Sequence, residues 1–481
     1  MQWSAISRLL SILYFAVAGA MLTAVPWAAA YDGRGTVFAF LLAAAITLLI
    51  AAVAHVRGRA PATIFPREAL ATVALGWISV AALGALPFLF CGVIHHPVTA
   101  FFESASGFTT TGATVFADVE SLPRAINWWR TLTHWLGGMG IVVLFIAILP
   151  RLGVGAKHLF RSEVPGPITS ELKPKLRETA GVLWKIYVVL TLAEAALLFA
   201  AGMNVFDALC HSFATLATGG FSTRNASIGG FDSLGIELIV VLFMFLAGVN
   251  FSLYHGVMAG RNWRALRRDS ELHVYLTLIV VATVIVAAAL VAMDRPLLTG
   301  LRQALFQVVA IHTTTGFGTD DFNVYPAFAK FLLVVLMFIG GSAGSTGGGM
   351  KVVRIMLLFK AMYTELYRTF RPQAVLSTKI SGHAFPEETV RTVLTFFVAG
   401  IAAFAAGTLI LTLFGIDLVT SFSAVAASLW NIGPGLGQVG STANYGWLPL
   451  PIQGLLSVLM IIGRLELFTV LVLLIPAFWK R

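Results

Sequence analysis

Apolar runs of about twenty residues, the length an α-helix needs to cross a bilayer, alternate with short polar or glycine-bearing breaks along nearly the whole chain. Two predicted spans come first, Ile6 to Trp27 and Thr36 to Val56. Beyond them one longer unit recurs four times: an outward helix, an apolar segment of roughly a dozen residues that is too short to cross, a glycine loop and a returning helix. The first unit reads as Leu70 to Val93, Val98 to Thr109 and Trp128 to Leu149, and the second as Gly181 to Met203, Asp207 to Ala217 and Ile236 to Tyr254. The third runs from His273 to Met293 and Leu301 to His312, with a return that begins at Ala327 and loses its apolar character after Ile339. The fourth takes Thr392 to Phe414, Val419 to Trp430 and Ile452 to Trp479. The predicted fold is an all-α polytopic membrane protein with four pseudo-symmetric M1-pore loop-M2 repeats and two extra N-terminal transmembrane helices. Its expected divisions are 1–60, 61–155, 156–268, 269–372 and 373–481.

The loops carry the candidate chemistry. Each follows a short apolar segment and centres on a glycine: Thr110-Thr111-Gly112, Thr218-Gly219-Gly220, Thr314-Thr315-Gly316 and Asn431-Ile432-Gly433. A lone Thr-Gly pair is ordinary helix packing, but four copies about a hundred residues apart are an internal repeat. Short helices ending at these loops aim the negative ends of their dipoles at the membrane centre, and glycine permits the positive φ that lets successive carbonyls face one axis. Carbonyl and threonine oxygens without carboxylates suit a monovalent cation better than Ca²⁺ or Mg²⁺. The twelve loop residues just named are therefore the expected selectivity filter, by the same logic as the four glycine-bearing loops of potassium channels.

Two further features lie at membrane depth. The third return is interrupted by Gly340-Gly341-Ser342-Ala343-Gly344-Ser345-Thr346-Gly347-Gly348-Gly349, whose six glycines oppose helix. Irregular backbone at that depth must line a cavity or be buried, which makes the stretch a candidate gate; a cytoplasmic loop is the alternative. Arg464 sits inside the last span, where a guanidinium is costly unless it meets water or a partner. It reads either as a positive constriction below the filter or as a structural pair with Glu466 or backbone carbonyls.

Composition narrows the class. With 58% hydrophobic and 11% charged residues, the chain is no ordinary soluble domain. The net charge of +10 resides mainly in Lys and Arg between the spans, so it predicts topology rather than a nucleic-acid partner. Arg57, Arg59 and Arg67, the segment from Arg151 to Lys185, Arg261 to Arg268, Lys360 to Arg391, and Lys480 and Arg481 all fall on one side, with Asp118, Glu120, Asp232, Asp320 and Asp321 on the other. Both termini are expected in the cytoplasm. Arg8, the run from Leu9 to Val25 and Trp27-Ala28-Ala29-Ala30 mimic a secretory signal, but the run is long for one and reads as an uncleaved helix. Cys91 and Cys210 read as packing residues, and His134, His211, His255 and His312 as packing or hydrogen-bonding ones rather than metal ligands. Ser106, Ser222 and Ser345 have no nucleophile elbow, so the expected protein is not an enzyme and uses no organic cofactor.

With these residues the chain resembles the Trk/Ktr/HKT superfamily of potassium transporters, most closely its bacterial TrkH type, over nearly its whole length. Besides the four loops and the glycine break, the likeness rests on Trp135-Leu136-Gly137-Gly138-Met139-Gly140, Asn431-Ile432-Gly433-Pro434-Gly435-Leu436-Gly437, Arg464 and the two extra N-terminal spans. The resemblance implies K⁺ uptake across the bacterial inner membrane, with K⁺ as the ion held at the filter. Gly340 to Gly349 would then be an intramembrane gating loop and Arg464 the pore arginine. It further implies a homodimer docked on a cytosolic nucleotide-binding TrkA-type regulatory subunit; the basic segments Arg151 to Lys185 and Arg354 to Arg391 read as its docking surfaces, with positive-inside anchoring as the alternative. Gly112, where plant relatives that carry Na⁺ have serine, favours K⁺. None of the loops is TVGYG and Pro434 replaces the aromatic, which leaves the degree of K⁺ over Na⁺ selectivity open. A secondary transporter coupling Na⁺ or H⁺ is the rival reading.

Overall fold

The computed structural model describes residues 1–59, 65–140, 176–260, 263–373, 378–381, 383–465 and 467–479. Apart from a hairpin pairing Lys379–Ile380 with His383–Ala384, its regular structure is helical. Among these residues six helices are long and apolar enough to cross a membrane, or up to eight if each bent pair is one span. The six are the two N-terminal spans and the four outward helices: Trp3–Asp32, Arg34–Arg57, Pro66–Phe90, Ala180–Ala200, Ser270–Val291 and Glu387–Leu413.

The first N-terminal helix, Trp3–Leu22, packs lengthwise on Arg34–Arg57. The turn between them ends at Asp32, whose two carboxylate oxygens accept the Arg124 and Ala125 amides at 2.8 Å each. An aspartate in front of a helix satisfies amides that have no partner within it and favours the positive end of the dipole. The N-terminal pair thus fixes the start of the first return helix.

The four short helices span Pro97–Phe108, Val205–Leu216, Leu297–His312 and Leu418–Leu429. Each starts with local chemistry: Pro97 at the first position, the Asn204 side chain accepting from the Asp207 amide at 2.9 Å, Pro296 just before the third, and Asp417 accepting from the Thr420 amide at 3.0 Å. Small side chains such as Ala105, Ala214, Ala310 and Ala426 are fully buried and let neighbouring helices close on them.

The return helices differ from expectation. They span Arg124–Gly138, Leu234–Ala247, Ala327–Phe338 and Leu450–Arg464, and at about 1.5 Å per residue each falls short of a ~30 Å crossing. The second bends by 91° before Phe251 and the fourth by 118° before Leu467. The sequence predicts continuous returns to Tyr254 and Trp479, because no proline falls at either bend. At the second bend Gly248 packs against Tyr275 and Asn250 starts a new turn, its Oδ1 accepting the Ser252 amide at 2.9 Å. A break in the return helix is therefore shared by the second, third and fourth repeats rather than particular to the third. The first return was expected to reach Leu149, which lies outside the described residues, as do Arg151 to Lys175, Glu466, Lys480 and Arg481.

Candidate functional site

All four short helices end in the same backbone motif. The residue after each C-cap is left-handed although it is not glycine: Thr110, Thr218, Thr314 and Asn431 have φ of 54°, 54°, 61° and 56°. Their amides bond three residues back, to Gly107, Thr215, Ile311 and Ser428, at 3.1, 2.9, 3.0 and 3.3 Å. The next amides, of Thr111, Gly219, Thr315 and Ile432, reach five residues back at 2.8–2.9 Å. This paired pattern is a Schellman cap, and it takes up two carbonyls of each last turn.

The loop glycines follow, with Gly112, Gly220, Gly316 and Gly433 at φ of 81°, 78°, 77° and 97°. Their surroundings close a ring. A Cβ on Gly112 would collide with the Gly219 carbonyl oxygen, one on Gly220 with that of Thr315, one on Gly316 with that of Ile432, and one on Gly433 with that of Thr111. Each loop therefore presses its glycine on the carbonyl just before the next loop's glycine, and the fourth returns to the first. Above the ring lies a cavity of about 130 Å³ lined by all four glycines and by Arg130, Arg224 and Tyr445. At its rim Asp118 accepts from the Asn225 amide group at 2.7 Å, which with the Glu120 and Ser121 amides holds its carboxyl below the ordinary range.

The threonine hydroxyls divide. Those of Thr111 and Thr315 bond Thr109 and Thr313 at 2.7 and 2.8 Å, and that of Thr218 donates to the Ala217 carbonyl at 2.6 Å. The Thr314 hydroxyl accepts the Gly348 amide at 2.6 Å. Among the described residues the Thr110 hydroxyl has no partner.

Behind the first two loops lies a pair that sequence reasoning passed over. Glu103 and Arg130, 0% and 1% exposed, meet at 2.8 Å. The carboxylate also accepts the Val115 amide and the Thr114 hydroxyl, while the guanidinium reaches the Ser222 carbonyl at 3.3 Å and lies 4.2 Å over the Phe221 ring. A buried ion pair is tolerated when its remaining sites are satisfied in this way. The signal was a charge inside each of two apolar segments, which could have been noticed; the pairing could not. His134 ties the same loops, accepting from the Phe221 amide at 3.2 Å through one ring nitrogen while the other contacts the Gly107 carbonyl at 2.7 Å.

Beneath the ring the stretch Gly340 to Gly349 folds back inside the protein. It leaves the helix at Ile339, which bridges to Met350, and most of it is buried. The Gly341 carbonyl accepts from Val352 at 3.3 Å, and the Gly344 carbonyl from Phe251 at 3.1 Å. The Ser342 amide donates to the Gly248 carbonyl at 2.8 Å and the Thr346 hydroxyl to that of Ala247 at 3.1 Å, so the stretch satisfies carbonyls freed where the second return helix breaks. Ser345 donates to the Ser342 carbonyl at 2.6 Å, and the buried Lys351 ammonium donates to the Gly347 carbonyl. Gly347 lies against Thr313, and Gly348 against Trp430 and Asn431, which places the stretch under the third and fourth loops. Glu271 holds it from the side, accepting the Ala343 and Val353 amides at 2.7 and 3.1 Å.

Arg464 completes the arrangement. Its guanidinium donates to the carbonyls of Gly137 and Gly138, the end of the first return helix, at 2.6 and 2.9 Å, and to Thr346 at 3.0 Å. Of the two readings of this residue, the backbone-carbonyl contacts are present and also join it to the glycine stretch. Its expected alternative partner, Glu466, is outside the described residues. No group of three or more metal-binding side chains occurs among the described residues.

A polytopic helical protein with four buried glycine loops closed on one axis is, in class, a membrane transporter of small cations. The chain belongs to the TrkH family: residues 37–481 match the family model described as a cation transport protein. It is 42% identical over 490 residues, covering 100% of both chains, to the Trk system potassium uptake protein TrkH of Salmonella typhimurium, and 44% identical over 447 residues, 92% of both, to that of Halomonas elongata. The crystal structure of the potassium transporter TrkH from Vibrio parahaemolyticus superposes with a TM-score of 0.90 at 38% identity over 100% of both chains. This is a family of transporters, not of enzymes.

Proposed function

We propose that this chain carries K⁺ into the cell across the bacterial inner membrane through a channel-like pore. The observation that carries the reading is the closed ring in which each loop glycine faces the carbonyl before the next. Equivalent carbonyl oxygens around one axis can replace an ion's hydration shell. Thr110, Thr111 and Gly112, Thr218, Gly219 and Gly220, Thr314, Thr315 and Gly316, and Asn431, Ile432 and Gly433 form the filter, each loop supplied by one of the repeats delimited above. Gly340 to Gly349 with Arg464 form the gate beneath it, a reading supported by Gly347 and Gly348 lying against the third and fourth loops and by the guanidinium joining the stretch to the first return helix. The clustering of Lys and Arg on one side supports cytoplasmic termini. Relatives named for a Trk system support a multi-component assembly, here a homodimer with a TrkA-type cytosolic subunit.

The test is ⁸⁶Rb⁺ uptake into liposomes holding the purified protein, with competition by K⁺, Na⁺ and Li⁺. Inhibition by K⁺ at far lower concentration than by Na⁺ is the expected result. Uptake that requires an imposed Na⁺ or H⁺ gradient would instead make the protein a coupled transporter.

A further inference from the structure

The fourth loop differs from the other three through a tyrosine that belongs to no motif. Tyr445, 2% exposed, donates its hydroxyl to the Gly433 carbonyl oxygen at 2.7 Å. Its position is set by the first repeat: its own amide donates to the Thr114 carbonyl at 2.8 Å, and its ring packs on Phe102 with centroids 5.6 Å apart. Among the described residues no hydrogen-bond donor meets the matching carbonyl of Gly112, Gly220 or Gly316. The hydroxyl proton takes one of that oxygen's two lone pairs, and its positive end opposes the charge of any cation the oxygen meets.

We propose that Tyr445 is a specificity-determining residue, whose hydroxyl weakens the Gly433 carbonyl as an ion ligand and leaves that ring of the filter with three strong oxygens. This rests on the filter reading given above. Fewer coordinating oxygens favour the smaller Na⁺ relative to K⁺, so a ring with three effective oxygens discriminates less than a fourfold one. Tyr445 thereby sets the chain's selectivity below the limit its four loops would allow, and it does so from outside them.

Tyr445→Phe tests this, because it keeps the ring and the backbone anchor to Thr114 and removes only the hydroxyl. The readout is the ratio of the Na⁺ to the K⁺ concentration that halves ⁸⁶Rb⁺ uptake into liposomes. The ratio is expected to rise by about threefold or more. An unchanged or lower ratio overturns the proposal. Should the variant not assemble, ring-fluorinated tyrosine at position 445, a stronger O–H donor, reads the same bond in the opposite sense: a lower ratio supports it and an unchanged one overturns it. Gly112→Ser, measured alongside, separates the two claims. If Gly112→Ser shifts the ratio and Tyr445→Phe does not, only the tyrosine inference fails; if neither shifts it, the filter reading fails as well.

Discussion

The outer and inner halves of the axis are built on opposite plans. In the outer half one backbone conformation is made four times, from a Schellman cap on a left-handed Thr or Asn to a glycine at positive φ. In the inner half the four return helices end in four ways. The first gives its last carbonyls to Arg464, the second gives its own to the glycine stretch, the third runs into that stretch, and the fourth supplies the arginine. A ring that must offer matched oxygens gains from repetition. For the gate proposed above, an element made only once can shift without three counterparts.

This contrast can be broken from either side. The largest effect is expected behind the ring, where Arg130→Ala leaves Glu103 buried and unpaired. Removing one partner of a buried pair costs about 3–5 kcal/mol, which thermal unfolding in detergent would read as a pronounced drop in midpoint. An unshifted midpoint would mean that the pair does not hold the first two loops. Next, Gly112→Ser places a side chain against the Gly219 carbonyl at an unfavourable φ and should let Na⁺ compete about tenfold better against K⁺, equivalent to ~1.4 kcal/mol. Unaltered competition would remove the first loop from the filter. The smallest effect belongs to the inner half: Glu271→Gln keeps an acceptor for the Ala343 and Val353 amides but a weaker one than the carboxyl group. Uptake should rise by about threefold with the order of competing ions unchanged. A changed order would show that the two halves are not separable.

The same division explains what the sequence reveals. Short helices, loop glycines and the glycine stretch are local features, set by segment length and by residues adjacent in the chain, and the short helices lie within a few residues of their predicted bounds. Two things escaped. The bend near Gly248 interrupts a run that stays apolar on both sides, so hydropathy carries no mark of it, while Arg464 and Glu466 flank the bend near Leu465 as charges within a span without specifying a turn. Glu103 with Arg130, Glu271 with Ala343, and Tyr445 with Thr114 join residues from 27 positions apart upward, and nothing in a single chain announces such pairs. The positions that present oxygens are readable locally, whereas the supports that hold them depend on the assembled fold.

The most direct test of the division between a selecting outer half and a gating inner half is ⁸⁶Rb⁺ uptake by Arg464→Ala, with its rate and its K⁺/Na⁺ competition measured together. Loss of the guanidinium frees Thr346 and the end of the first return helix, and a charge-assisted bond is worth about 1.5–3 kcal/mol. The rate should therefore rise about tenfold or more while the competition ratio stays as in the unaltered protein. A folded variant with an unchanged rate, or with a shifted ratio, would contradict the account.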